Sequence, residues 1–325
     1  MIRTPVCDLL QIEHPIALGG MGSVPAPALV AAVSNAGGLG ALGCGFSTVE
    51  QIRVHTAEVR AHTNKPFGLN FLVFNIDEDG FAAGLALRPA VMALAWPRPE
   101  QDLKPYIARA HDAGCKVTFM CPGVAEATRA AAAGADIIIA QGTESGGHVG
   151  WQTTLTLVPM VVDAVAPVPV LAAGGIADGR GLAAALALGA QGVLLGTRFL
   201  ASKESPLHAN FKQAILDSDG HDTQLTEIPD RAAGLVWPGA LSRSRRNGFL
   251  DRWAGREWAL RQHRAAAFAA VLEARKNGDS DNAPLPMGQD AGLIHDLPPA
   301  GDIVRRIAQE AEEILTKTLP RFVKH

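Results

Sequence analysis

Eight short, continuously apolar runs punctuate the first two hundred residues, at 15–18, 39–42, 67–72, 91–96, 117–121, 137–141, 168–173 and 193–196. Their hydrophobic residues do not alternate with polar ones, as those of a half-exposed strand would. They read as parallel strands covered on both faces. Alanine-rich helical stretches separate them, and several close on glycine, at Gly37-Gly38, Gly114, Gly134 and Gly189. Glycine there supplies the left-handed residue that ends a helix before the next strand. Eight strands with intervening helices predict an α/β fold, a TIM (β/α)8 barrel with its site at the C-terminal strand ends. An open doubly wound sheet competes with it. No Gly-x-Gly-x-x-Gly opens a helix after the first strand, which counts against the dinucleotide-binding version.

The pattern changes after Pro206. Residues 206–286 carry four helix-like stretches rich in Arg, Ala and Glu, together with Trp237, Trp253 and Trp258, and no parallel-strand pattern. The segment 299–319 then has apolar residues at Ile303, Ile307, Ala311, Ile314 and Leu315, the stripe of an amphipathic helix. The expected organisation is a barrel over 1–205, a smaller helical cap domain over 206–286 inserted before the closing helix, and a segment 287–325 that returns to the barrel. The cap can exclude water from the site and select substrate through its tryptophans, or it can serve as an interface.

The chain has 325 residues, 48% hydrophobic and 19% charged, enough to bury a substantial core. A net charge of −3 offers no polycation for nucleic acid, and Arg243, Arg245 and Arg246 read as a solvated loop or a local salt-bridge patch. No apolar run reaches membrane-helix length, and no signal stretch is expected at the N-terminus. Cys7, Cys44, Cys115 and Cys121 lack metal-ligand spacing, so no metal is expected. They read as reduced core thiols of a cytoplasmic protein.

Candidate chemistry gathers at the strand ends. Glu144-Ser145-Gly146-Gly147-His148 follows the sixth run, so glycines permit close backbone approach and an imidazole stands ready to exchange protons. His148 is the candidate base; its plainer reading is a hydrogen-bonded loop histidine. Gly174-Gly175 and Gly196-Thr197 follow the seventh and eighth runs, where TIM barrels often hold phosphate. Leu18 through Gly22 makes another close-approach turn. Asn70 reads equally as a ligand contact or a strand-end cap, and Gln141 as a ligand contact or an internal strut.

Together, His14-Pro15-Ile16-Ala17-Leu18-Gly19-Gly20-Met21, Pro66 through Asn70, Ala140 through His148, Ala173 through Gly179 and Gly196 through Phe199 resemble the nitronate monooxygenase family. The resemblance runs through Glu204 and resumes at Met287 through Ile294. It implies a TIM barrel, one non-covalent FMN and a histidine near the flavin. By that likeness His148 is the catalytic base. Asn70, Gln141, Gly146, Gly175, Leu194, Leu195, Gly196 and Thr197 contact FMN, with Gly147 and Gly174 in the same turns, and Gly20 and Met21 lie against the isoalloxazine. Some relatives place a lysine on the fifth strand; here Met120 stands at about that point.

The leading expectation is FMN-dependent oxidation of alkyl nitronates, and of nitroalkanes, by O2. A nicotinamide-dependent reductase acting on enoyl-acyl-carrier protein or quinones is the alternative, since enoyl reductases of the second type share the Glu-Ser-Gly-Gly-His motif. A catalytically silent phosphate-ligand binder is the alternative from another class. Substrate, electron donor and oligomeric state stay open at this level.

Overall fold

The computed structural model describes residues 2–21 and 25–323; the part of the first glycine turn at Gly22 lies outside them. Eight parallel strands form the barrel: β1 (Ile16–Leu18), β2 (Gly40–Gly43), β3 (Phe67–Leu72), β4 (Val91–Ala95), β5 (Lys116–Cys121), β6 (Ile137–Gln141), β8 (Val170–Ala173) and β9 (Val193–Leu195). Each falls on one of the eight apolar runs. They pair in the order β1-β9-β8-β6-β5-β4-β3-β2, and a parallel bridge between Ala17 and Leu39 joins β1 to β2. The sheet therefore closes on itself as a TIM barrel.

Side chains alternate across the wall. On β6, Ile137 and Ile139 belong to the inner cluster, while Ile138 and Ala140 join the larger core between strands and helices. The expected glycine closers at Gly37, Gly114, Gly134 and Gly189 all have positive φ, between 81° and 103°. A six-residue helix, α1 (Pro5–Leu10), packs Val6, Cys7 and Leu10 against the inner cluster and plugs the barrel. The sequence pattern gave no sign of this element, because six residues are too few to establish a helical period.

Around the barrel run α2 (Pro27–Asn35), α3 (Val49–His62), α4 (Glu78–Ala86), α5 (Lys104–Asp112), α6 (Val124–Ala132), α7 (Thr154–Val165) and α8 (Gly179–Ala187). A four-residue helix, α9 (Thr197–Leu200), follows β9. After the inserted segment, α15 (Ala300–Glu313) packs against both α8 and α2. Its Ile303, Val304, Ile307 and Ala311 are buried, and Glu310 accepts a 2.9 Å hydrogen bond from the Gly179 N–H at the start of α8. α15 is thus the closing helix that the amphipathic stripe predicts.

The inserted segment is mainly helical, with five helices where four were expected: α10 (Ala209–Leu216), α11 (Ile228–Ala233), α12 (Gly248–Trp253), α13 (Glu257–Gln262) and α14 (Arg264–Lys276). It also carries two strands that its composition hid, β10 (Thr223–Thr226) and β11 (Leu241–Arg245). Both join β7 (Gly147–Val149), an extension of the loop after β6, in a three-stranded antiparallel sheet. Hence Gly147 and His148 lie on a strand rather than in a free loop. Arg243 and Arg245 of the arginine cluster lie on β11 and Arg246 directly follows it: Arg245 pairs with Asp222 and Arg246 with Asp251. All four cysteines are buried and unbridged, and burial pushes the Cys44 thiol up to about 12.

Candidate active site

A cavity of about 600 Å³ opens at the C-terminal ends of the barrel strands and extends under the cap. Gly20, Met21, Asn70, Gln141, Gly146, Gly147, His148, Gly174, Gly175, Leu194, Leu195, Gly196 and Thr197 all line it. Residues spread over most of the barrel sequence therefore meet in one place. Met120 is in the wall too, so the fifth strand presents a thioether there and no cation.

The floor is polar at two points. Asn70 donates from Nδ2 to the Ala93 carbonyl at 3.1 Å, which fixes its amide plane and leaves Oδ1 toward the turn at Gly20. A Cβ on Gly20 would sit 2.4 Å from the Asn70 Cβ, so the turn passes this strand end only as glycine. Gln141 is buried, and its Oε1 has no hydrogen-bond partner. A buried acceptor left unpaired is costly, and a ligand N–H removes that cost.

The glycine turns form a second zone. Gly174 and Gly175 have φ of +105° and +72°, a conformation that side-chain-bearing residues rarely adopt. A Cβ placed on Gly147 or Gly196 would meet nothing within 4 Å, so there is open space beside the backbone at both. The returning segment 287–290 completes this zone: the Gly288 N–H donates to Thr197 Oγ1 at 2.9 Å and the Gln289 N–H to the Glu144 carbonyl at 2.9 Å. An unpaired amide oxygen, open glycine turns and an apolar wall suit a planar, polar-edged cofactor carrying one phosphate.

Asp290, buried beside Thr197, is a residue that the sequence pattern did not single out. Burial pushes its carboxyl up to about 7 from an ordinary 3.8. The folded chain then keeps a proton that the unfolded chain releases near pH 4, so stability falls as pH rises from about 4 to 7 and levels off above. Asp290→Asn should flatten the thermal midpoint across that window. Parallel midpoint curves for the two proteins would show that Asp290 does not titrate there.

The third zone is the histidine. β7 pairs with β11 in the register Ser242↔His148 and Arg243↔Gly147, so the cap sheet holds the His148 backbone. Arg243 reinforces it, donating from Nε to the Thr143 carbonyl at 2.7 Å. His148 Nε2 lies 3.0 Å from both carboxylate oxygens of Asp230 on α11. Its ring stacks on Trp237, with centroids 3.4 Å apart and planes 12° from parallel. Trp237 rests in turn on Phe74 and Trp96. An ionised carboxylate only accepts, so Nε2 carries the hydrogen, and the neutral ring keeps its lone pair on Nδ1. Nδ1 has no hydrogen-bond partner among the described residues.

These contacts change the expected role of the cap. Of its three tryptophans only Trp237 lines the cavity. Trp253 packs in a separate cluster around Phe249 and Leu260, and Trp258 is 60% exposed. The cap tryptophans expected to select substrate are thus split: Trp237 is at the cavity, while Trp253 on α12 and Trp258 on α13 do not line it. What the cap does hold is His148, through Asp230 and Trp237.

A parallel barrel with a cofactor-sized cavity and a carboxylate-held imidazole at its mouth defines an oxidoreductase of the flavin-dependent barrel class. The chain belongs to the nitronate monooxygenase family, whose family profile matches residues 3–95 and 81–310. It is 35% identical to the (3aS,4S,5R,7aS)-5-hydroxy-7a-methyl-1-oxo-octahydro-1H-indene-4-carboxyl-CoA dehydrogenase of Mycobacterium tuberculosis, over 95% of this chain and 96% of that one. Among solved structures, FabK from Thermotoga maritima superposes with a TM-score of 0.88 at 36% identity, covering 99% of this chain and all of the other. The nitroalkane oxidase of Streptomyces ansochromogenes gives 0.82 at 30% identity, covering 96% and 99%.

Proposed function

We propose that the protein is an FMN-dependent enzyme that oxidises alkyl nitronates, and the nitroalkanes that give rise to them, with molecular oxygen. The observation that carries this reading is the His148–Asp230 pair at the mouth of the cavity. A nitroalkane is a carbon acid, and its oxidation begins with loss of an α-proton. Nδ1 of His148 is a basic nitrogen at the cavity wall, and Asp230 stabilises the imidazolium formed when it takes that proton. Trp237 covers one face of the ring and excludes water from it. A bound flavin supplies electron exchange between a closed-shell nitronate and O2.

Gly174, Gly175, Gly196 and Thr197 would hold the single phosphate, and Asn70 and Gln141 the polar edge of the ring system. Gly20 and Met21 would lie against its face, while Gly146, Gly147, Leu194 and Leu195 pack alongside. No adenosine-binding fingerprint accompanies the glycine turns, which favours FMN over FAD. A second reading rests on the Mycobacterium tuberculosis relative, whose name gives a CoA thioester as substrate: a flavin-dependent reductase of acyl thioesters that takes its electrons from NAD(P)H. Two measurements test the first reading. Heat-released cofactor should run as FMN on chromatography, and a propyl nitronate should drive oxygen uptake with no nicotinamide present. Release of FAD, or oxygen uptake that requires NADH or NADPH, would rule it out.

A further inference from the structure

Among the described residues, two cations in the cavity wall have no anion, Arg275 and Lys276, and of the two only Arg275 is shielded from solvent. α14 ends at Arg275 and Lys276, which line the cavity from the cap side together with His208. The Arg275 guanidinium makes no hydrogen bond or ion pair with any described residue, and burial with no carboxylate nearby holds it below its ordinary pKa. Other inward arginines have partners: Arg198 has Asp296, Arg243 the Thr143 carbonyl and Thr223, and Arg245 Asp222. A partly buried guanidinium left alone is costly, and the carbonyls at the end of its helix offset only part of that.

Its place in the fold points to the anion. Ala274, the preceding residue, packs in one buried cluster with Ala177 and Ala201. Those alanines lie just beyond the glycine turns at 174–175 and 196–197, so Arg275 stands at the same end of the cavity as the turns. We propose that Arg275 supplies the positive charge for the phosphate held at these two turns, the 5′-phosphate of the flavin mononucleotide; the inference rests on the FMN reading above. The turns offer only neutral donors, backbone N–H groups and the Thr197 hydroxyl, which do not cancel the charge of a phosphate. A guanidinium fork matches two phosphate oxygens and carries that charge. Asp290 is the only carboxyl among the described residues lining the cavity, and burial keeps it protonated up to about pH 7. Because α14 belongs to the cap, the phosphate then ties the cap to the barrel.

Flavin-stripped protein titrated with FMN and with riboflavin, which lacks the phosphate, separates the possibilities. Arg275→Ala should weaken FMN binding by about 10- to 100-fold, the range of a hydrogen bond to a charged group. Riboflavin affinity should not change, which also shows that the variant is folded. Arg275→Lys should fall between. An equal loss for both ligands, or unchanged FMN affinity, overturns the assignment. Unchanged FMN affinity with weakened binding of coenzyme A would give Arg275 to a substrate anion instead. Wild-type protein that binds no FMN would defeat the cofactor reading itself.

Discussion

His148→Ala should retain its flavin yet lose about 10²–10⁴-fold in activity on neutral nitroalkanes, the usual contribution of a positioned general base. Activity on preformed nitronates should fall much less. The asymmetry comes from the proton: a nitroalkane must surrender its α-hydrogen before oxidation, whereas a nitronate has already lost it. The imidazole stands at the cavity wall but accounts for none of its glycine turns, so flavin content is a fair control on folding. Equal losses on the two substrates would make His148 an orienting group. Wild-type rates on both would make it a structural residue of the cap sheet.

Asp230→Asn should come close to the same loss on nitroalkanes, about 10²–10⁴-fold, although the substituted side chain is nearly isosteric. The carboxylate only accepts from Nε2, which leaves the lone pair on Nδ1. An asparagine amide can donate to Nε2 instead, and the ring then carries its hydrogen on Nδ1, where the base has to act. The imidazolium also loses its counter-charge. The pH profile separates this from simple disorder: with the carboxylate gone, the acid limb of activity on nitroalkanes should move to lower pH, while flavin content and the nitronate rate hold. A variant with an unshifted profile and full nitroalkane activity would show that Asp230 only supports the fold.

The barrel was readable because parallel strands buried on both faces leave unbroken apolar runs, and each strand end announces itself by the glycines that follow. Local signals of this kind placed Gly20, Asn70, Gln141, Gly175 and Thr197 in one cavity. Asp230 had no such signal. It comes to His148 from a distant helix through the β7–β11 pairing, and nothing in Ile228-Pro229-Asp230 distinguishes that acid from a surface one. β11 was hidden for a related reason. Leu241-Ser242-Arg243-Ser244-Arg245 reads as a polar loop, yet Ser242, Arg243 and Ser244 are buried, because the strand is covered by chain rather than by a hydrophobic face. Tryptophan content did not separate the one cap indole at the cavity, Trp237, from the other two. It marks where a large apolar surface must be covered, and two of the three cap indoles meet that need away from the cavity.

The most direct measurement is spectroscopic. Wild-type protein mixed anaerobically with a propyl nitronate, in the absence of nicotinamide, should lose its oxidised-flavin absorbance, and admitting oxygen should restore it. A flavin that stays oxidised with the nitronate and bleaches only with NADH or NADPH would contradict the proposed reaction and assign the site to a nicotinamide-dependent reductase.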